Sequence, residues 1–267
     1  MNHSFAPELQ PLSSPNVKPA ATVVIFRHAA PDQPPELLMV QRAKNMRFAG
    51  GAAVFPGGRV DPADHDLAAK LAEQCDTVSD PEEGAARIAA IRETLEETGL
   101  AIGIDRPVSA AQAAQARKIL LTEGALAPVL AHMGWQLAPH VLVPFARWCP
   151  MHEGSFDTRF YLADLGTGAV DITVDLTENT HLFWASAIDA LAMADQGEIG
   201  VIYPTRRNLD RLALFSNFAE ATAQALAYPV RMIVPATIEE NGERWLTIPD
   251  GHGYPVTSES MTTVMRG

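Results

Sequence analysis

The segment from Asp80 to Gly99 constrains the fold most, because it carries the start and stop signals of one helix. Asp80 suits the N-cap, Pro81 suits the first helical position, and Glu83 stands where it would complete a capping box. Gly99 suits a left-handed cap at the other end. The sequence therefore predicts a helix over residues 81–98. Its buried stripe is expected to consist of three aliphatic residues: Ile88, Ile91 and Leu95.

The last turns of this helix, RETLEETGL, carry three carboxylates at Glu93, Glu96 and Glu97. Positions i, i+3 and i+4 share one face of a helix, and like charges at that spacing cost about a few tenths of a kcal/mol per pair. A divalent cation would remove the repulsion, and an all-oxygen ligand set suits Mg²⁺ or Mn²⁺. Small residues one turn earlier on the same side are expected to leave room for a ligand: Ala86, Ala89 and Ala90. The alternative is a solvated acidic face.

Residues 41–60 (QRAKNMRFAGGAAVFPGGRV) contain basic side chains and no acid, although the whole chain has a net charge of −12. Arginine binds phosphate bidentately, and the paired glycines at 57–58 can bring bare backbone close to a ligand. A basic stretch next to an acidic metal face predicts an anion site held from two sides. The alternative for each basic residue is an ordinary surface charge. The four are Arg42, Lys44, Arg47 and Arg59.

Composition narrows the class of protein. Hydrophobic residues make up 47% of the 267 residues, and strand and helix patterns are interleaved, so the fold class is α/β or α+β. The negative charge argues against nucleic acid or an anionic membrane as partner. Cys75 and Cys149 are predicted to be reduced thiols of a cytoplasmic protein. No apolar run approaches the roughly 18 residues of a membrane span, and the N-terminus lacks a signal-peptide pattern.

The chain divides into three predicted regions: a flexible tail (1–20), a folded domain (21–229) with a polar insertion at 61–79, and a C-terminal extension (230–267). Asn241-Gly242 predicts a hairpin in the extension, which could cap a substrate pocket or form a homodimer interface. Strands are predicted at 21–26, 36–42, 52–55, 100–104, 137–147, 156–164 and 180–185. Helices are further predicted at 66–74, 109–121, 124–133, 186–196 and 204–226.

FPGG followed by RETLEETGL resembles the Nudix box of the Nudix hydrolases. The resemblance implies an α/β/α sandwich with a mixed β-sheet, in which a loop–helix–loop motif carries out Mg²⁺- or Mn²⁺-dependent cleavage of nucleoside diphosphate derivatives. It implies metal ligation by Glu93, Glu96 and Glu97, assisted by the Gly58 carbonyl. It also implies that Glu93 is the catalytic base or orients the attacking water, while Arg92 holds the glutamates in place.

The chain departs from the family pattern inside the box. There are 33 residues between Gly58 and Arg92, where the family has 13, so about 20 extra residues split the box. The first glutamate of the box has no clean counterpart. Counting forward from Gly58 gives Asp64, whereas counting back from Arg92 gives Gly84. Thr94 stands where an aliphatic residue is usual.

The interrupted box resembles the coenzyme A diphosphatase-like branch, as do SFDTRFYLA, ENTHLFW and YPTRRNLDRLALF. That branch carries a leucine-rich strand and then arginine, a small residue, arginine, glycine and FPGG at fixed spacings. The chain supplies this pattern at Leu38, Arg42, Ala43, Arg47, Gly51 and residues 55–58. The branch implies cleavage of coenzyme A or its thioesters to 3′,5′-ADP and 4′-phosphopantetheine.

The branch implies that substrate is bound by five residues of the basic stretch: Arg42, Arg47, Gly57, Gly58 and Arg59. Glu178, in ENTHLFW, is a further candidate catalytic acid, since in the family this strand can bring another acid to the site; the alternative is an exposed loop acid. Two other functions stay open. One is a Nudix pyrophosphatase for ADP-ribose or a dinucleotide, and the other is a non-catalytic nucleotide-binding module.

Overall fold

Strand β1 (Lys18–His28) lies in the middle of the fold and is buried on both faces. Val23 and Ile25 pack into a core on one side of the sheet, and Val24 and Phe26 pack into a second core on the other. Alternation of this kind in a strand requires a covering layer on each face. The strand begins at Lys18, three residues before the predicted start.

The computed structural model describes residues 16–28, 33–43, 49–74, 80–167 and 179–264. Its strands are β1, β2 (Glu36–Arg42), β3 (Ala53–Val54), β4 (Gly57–Arg59), β5 (Val143–Trp148), β6 (Phe156–Thr167), β7 (Asn179–Ser186), β8 (Met232–Ile233), β9 (Ala236–Glu240), β10 (Glu243–Thr247) and β11 (Ser258–Ser260). Its helices are α1 (Pro62–Gln74), α2 (Pro81–Thr98), α3 (Ala110–Glu123), α4 (Leu126–Met133), α5 (Ala187–Asp195), α6 (Tyr203–Leu212), α7 (Phe218–Ala227) and α8 (Met261–Val264).

Eight of these strands form one mixed sheet, in which β1 pairs parallel with β6 and antiparallel with β2 and β4. Strand β7 pairs with β2, and β5 joins β6 to β8 at the other end. Helices α1 to α4 contribute to the first core, and α5 to α7 contribute to the second. The predicted α/β/α sandwich with a mixed sheet is therefore confirmed.

The C-terminal hairpin is formed by β9 and β10, and Asn241 and Gly242 both have positive φ, at 53° and 80°. This is the primed turn that Asn-Gly favours. Strand β8 extends the main sheet, while Ile248 and Tyr254 complete the second core. Whether the hairpin caps a pocket or forms a homodimer interface stays a prediction.

Several element boundaries were wrong. The predicted helix at 204–226 is two helices, because α6 ends at Leu212 and Asn217 caps a new helix, α7, by accepting from the Glu220 N–H. The predicted strand at 100–104 is reduced to a bridge between Ile104 and Leu137. The strand predicted from 137 begins only at Val143, after a 3₁₀ turn. No helix in the described ranges is long and apolar enough to cross a membrane.

Candidate functional site

Helix α2 begins and ends where its sequence signals predicted. The Asp80 carboxylate accepts from the Glu82 N–H at 3.0 Å, and Gly99 adopts φ 77° as a left-handed cap. The predicted capping box does not form. The Glu83 carboxylate instead accepts from Arg87 Nε at 3.0 Å and lies 3.2 Å from Arg159 Nε, since two guanidinium groups compete with one backbone N–H.

The face that carries Glu93, Glu96 and Glu97 is turned toward the sheet rather than toward open solvent. Glu97 is 5% exposed, and the side chains of Glu93 and Glu96 are 17% and 37% exposed. The expectation that small residues leave space for a ligand was wrong, because these residues are fully buried in the first core: Ala86, Ala89 and Ala90. Their small size instead lets α2 approach the strands closely.

Strand β4 brings Gly57 and Gly58 directly against the glutamates. The Gly57 N–H donates to Glu97 Oε2 at 2.9 Å. A Cβ at Gly58 would overlap the Glu93 carboxylate, and one at Gly57 would overlap the backbone of β1. Glycine is therefore needed here for close approach. Gly58 does lie next to the acidic face, although 33 residues separate it from Arg92.

Arg92 connects helix α2 to strand β4 within the site. Its side chain is 5% exposed, and Nη1 donates to Glu93 Oε1 at 2.8 Å while Nη2 donates to the Arg59 carbonyl at 2.9 Å. Burial alone would lower the pKa of Arg92, but the hydrogen bond with Asp64 and the nearby carboxylate charges raise it above its usual value. The guanidinium therefore fixes Glu93 relative to β4.

Asp64, from the first turn of α1, is the buried partner of Arg92. Arg92 Nε lies 3.0 Å from Asp64 Oδ1, and Nη2 lies 2.9 Å from Oδ2. Asp64 is 1% exposed, and its Oδ2 also accepts from the Asp61 N–H. Of the two positions left open for the box's first acid, the structure puts Asp64 in contact with Arg92. Gly84 lies in the first turn of α2.

The insertion at 61–79 is more regular than predicted, because α1 covers Pro62–Gln74 rather than a short piece within it.

Thr94 is fully buried at the position of the box where the family usually has an aliphatic residue, and its hydroxyl donates to the Ala90 carbonyl at 2.8 Å. That hydrogen bond satisfies the Thr94 hydroxyl, which an aliphatic residue would not have.

Arg117, from α3, donates to the Glu96 carbonyl at 2.8 Å and places a positive charge at the negative end of the α2 helix dipole. Sequence reasoning missed Arg117, which lies 20 residues beyond Glu97 without a motif of its own.

The electrostatics of the acidic face suit a cation. Burial raises the pKa of Glu93 to about 7 and the charge of Glu96 adds to the rise, while Arg92 opposes it. Within the described ranges, no group of three or more His, Cys, Asp or Glu side chains is arranged to hold a metal as placed. Glu93 is turned to Arg92, and Glu97 to the Gly57 N–H. The donor set of three carboxylates on one helix face nevertheless fits a hard divalent ion, which Glu93, Glu96 and Glu97 could hold.

The other predicted site residues are spread more widely. Arg42 ends β2, and its Nε is buried and has no hydrogen-bond partner among the residues that the structure describes. Arg59 is exposed on β4. Lys44, Arg47 and Glu178 lie outside the described residues.

No protein family model matches the chain. Among solved structures, the chain is similar to a Nudix hydrolase from Alicyclobacillus acidocaldarius, with 28% identity and a TM-score of 0.64 over 78% of this chain and 96% of that one. A MutT protein from Methanosarcina mazei Go1 gives 15% identity and a TM-score of 0.41 over 75% and 95%. The NUDIX domain of Shewanella oneidensis NrtR, complexed with ADP ribose, gives 16% and 0.36 over 75% and 88%.

The fold is the Nudix α/β/α sandwich, as the likeness to the Alicyclobacillus structure shows. In the described residues its loop–helix–loop element comprises β4, α1 and α2, because α1 lies within the first loop. By its likeness to the Alicyclobacillus structure, the chain falls within the Nudix hydrolase superfamily.

Proposed function

We propose that the protein is a metal-dependent hydrolase that cleaves a pyrophosphate bond. One observation carries the proposal: the two halves of the split box meet in space. Gly58 packs on the Glu93 carboxylate, and Gly57 bonds to Glu97. Three carboxylates held together on a partly buried face are costly without a cation. A binding module would gain nothing from maintaining them.

The residues take separate roles in this proposal. Glu93, Glu96 and Glu97 hold Mg²⁺ or Mn²⁺, with the Gly58 carbonyl as a further ligand. The bound ion neutralises pyrophosphate charge and makes a water more acidic. Glu93 accepts the water's proton or orients it for attack on phosphorus, a role that suits a carboxyl in a buried setting. Arg92 acts by positioning Glu93, to which it donates at 2.8 Å.

For the substrate, we infer coenzyme A or its thioesters. The support is the pattern from Leu38 to Gly58, which places Arg42 at the end of β2 and glycines at the turn into β4. Within the described part of the chain, Arg42 Nε is buried without a partner, so a phosphate oxygen could satisfy it. Arg47 and Arg59 are proposed to bind the same substrate, and Glu178 is proposed as a further catalytic acid. The products would be 3′,5′-ADP and 4′-phosphopantetheine, acylated where a thioester is cleaved.

The test is product analysis by mass spectrometry on a panel of coenzyme A, acyl-coenzyme A, ADP-ribose and dinucleoside polyphosphates, each with Mg²⁺ or Mn²⁺. Cleavage of coenzyme A to 3′,5′-ADP at the highest kcat/KM is expected. A preference for ADP-ribose or a dinucleotide would support the proposed hydrolase activity but contradict coenzyme A as its substrate. Nucleotide binding without hydrolysis of any pyrophosphate would show a binding module instead.

A further inference from the structure

A cleft of about 550 Å³ lies at the other half of α2 from the three glutamates. Glu83, which lines the cleft, precedes Glu93 by ten residues, which is roughly 15 Å along a helix. The remaining walls come from β5, β6 and the segment that enters β8, and neither the three glutamates nor Gly58 lines the cleft. Its volume is within the range of about 300–1,000 Å³ that is usual for small-molecule sites.

The cleft is positively charged although the chain as a whole is acidic. Four arginines line it, against two carboxylates, Asp80 and Glu83. The four are Arg87, Arg147, Arg159 and Arg231.

Glu83 is shared by Arg87 and Arg159, so this partly buried group of three carries a net positive charge. Arg159 is 9% exposed, and within the described residues neither of its Nη atoms has a hydrogen-bond acceptor. Arg147 forms a bidentate pair with Asp157, which leaves Nη1 of Arg147 without an acceptor in the same part of the chain. A guanidinium that lines a cleft can bind an oxyanion bidentately.

Tyr161 lies at the inner wall of the cleft. The residue is 1% exposed, and within the described residues its Oη has no hydrogen bond of ordinary geometry, although it is in contact with the Glu83 carboxylate. Burial, the charge of Glu83 and the contact with its carboxylate raise the pKa of Tyr161, so the hydroxyl stays protonated as a donor. Because buried polar groups are nearly always well hydrogen-bonded, a hydroxyl held this loosely beside a cleft can turn to a ligand oxygen.

The other side of the cleft is apolar. Val230 and Met232 line it, and each is 37% exposed. Arg231 stands between Val230 and Met232 and donates to the Gly251 carbonyl at 2.8 Å. A ligand that fits has an anionic end and an apolar or flat organic end.

We propose that this cleft is a second ligand site that takes a small organic phosphate. The phosphate lies against Arg159, Arg87 and the Tyr161 hydroxyl, and the organic part lies against Val230 and Met232. The site is separate from the proposed hydrolytic one, and its occupancy does not depend on hydrolysis.

The test is calorimetric titration of the full chain in EDTA, with adenosine 5′-monophosphate, inorganic phosphate and adenosine as probes. Adenosine 5′-monophosphate is expected to bind, phosphate to bind more weakly, and adenosine not to bind. Arg159→Met, which keeps the apolar stem, should weaken binding about 10- to 100-fold, as expected for losing a charge-assisted contact. Arg106→Ala, which removes an exposed arginine paired only with Asp105, should bind like the wild type.

Tyr161→Phe is the second variant, because it removes one poorly bonded oxygen and should fold normally. Binding should weaken about 2- to 10-fold with an unchanged Tm, whereas a purely structural hydroxyl would lower Tm and leave binding alone. Glu97→Gln should keep full binding, which separates this site from the hydrolytic one. No binding of either phosphate probe, or wild-type binding by both Arg159→Met and Tyr161→Phe, would overturn the proposal. Loss of binding in Glu97→Gln would also overturn it.

Discussion

Asp64 and Arg92 form a buried bidentate ion pair between residues that are 28 positions apart, at 3.0 and 2.9 Å. Asp64 belongs to α1, inside the insertion, and Arg92 belongs to α2, next to Glu93. The pair therefore holds the two halves of the split box together. It also sets the direction of Arg92, whose remaining N–H groups bond to Glu93 and to the Arg59 carbonyl.

Asp64→Ala should destabilise the protein by about 3–5 kcal/mol, because it leaves the Arg92 guanidinium charged and buried without its partner. Chemical denaturation followed by circular dichroism measures the change. Asp66→Ala is the matched control, since Asp66 is exposed on the same helix and should change stability by less than about 0.5 kcal/mol. Equal stability of the two variants would contradict a structural role for the pair.

Activity should disappear in EDTA and return with Mg²⁺ or Mn²⁺, because the acidic face needs a cation to bring a pyrophosphate close. Glu97→Gln should lower kcat about a hundredfold while the far-UV spectrum and Tm show an intact fold. Glu123→Gln, an exposed acid on α3, should have wild-type kinetics. Full activity in EDTA would remove the metal from the proposed mechanism.

Gly58→Ala should weaken Mn²⁺ binding by at least tenfold, because the added methyl group overlaps the Glu93 carboxylate and displaces it. Overpacking of this kind costs about 1–3 kcal/mol. Electron paramagnetic resonance counts free and bound Mn²⁺ directly. Gly134→Ala is the control, since a Cβ there meets no atom within 4 Å; its left-handed φ of 63° costs some stability, but Mn²⁺ affinity should stay unchanged. Normal affinity in Gly58→Ala would mean that Glu93 does not bind the ion.

Arg47→Ala should raise KM for coenzyme A more than for dephospho-coenzyme A, which lacks the 3′-phosphate. A lost charge-assisted contact of about 1.5–3 kcal/mol corresponds to a difference of roughly 10- to 100-fold. Steady-state kinetics on both substrates measure it, with Arg106→Ala as the charge-matched control. An equal rise in KM for both substrates would show that Arg47 does not read the 3′-phosphate.

Local signals predicted α2 well. Its cap at Asp80, its proline start and its glycine stop act within a few residues, so they can be read from the sequence alone. The hairpin turn at Asn241-Gly242 was predictable for the same reason. The split at Asn217 was not, because the apolar period continues across residues 204–226 and only the hydrogen bond to the Glu220 N–H shows the break.

The remaining features of the site depend on tertiary contacts, so the sequence alone did not predict them. A helical wheel puts Ala86, Ala89 and Ala90 on the side of the glutamates, but it does not say that the sheet covers this side. Position counting left Asp64 and Gly84 as equal candidates, and only packing brings one of them to Arg92. The arginine-lined cleft draws on α2, two strands and the segment before β8, so no single stretch of sequence indicates it.

The insertion between Gly58 and Arg92 also has a consequence for how such motifs diverge. Lengthening a loop from 13 to 33 residues costs only about 0.8 kcal/mol in closure entropy, less than the roughly 3–5 kcal/mol that removing one partner of a buried ion pair costs. Because Asp64 bonds to Arg92 within the first turn of α1, the residues that follow Asp64 are not needed to bring Gly58 to the acidic face, and Leu67 and Ala68 pack into the first core instead. The length of the spacer can therefore differ from the family's 13 residues while the contacts of the box stay the same. A pattern written as a fixed number of residues would lose such a chain, whereas one written as pairs of touching residues would keep it.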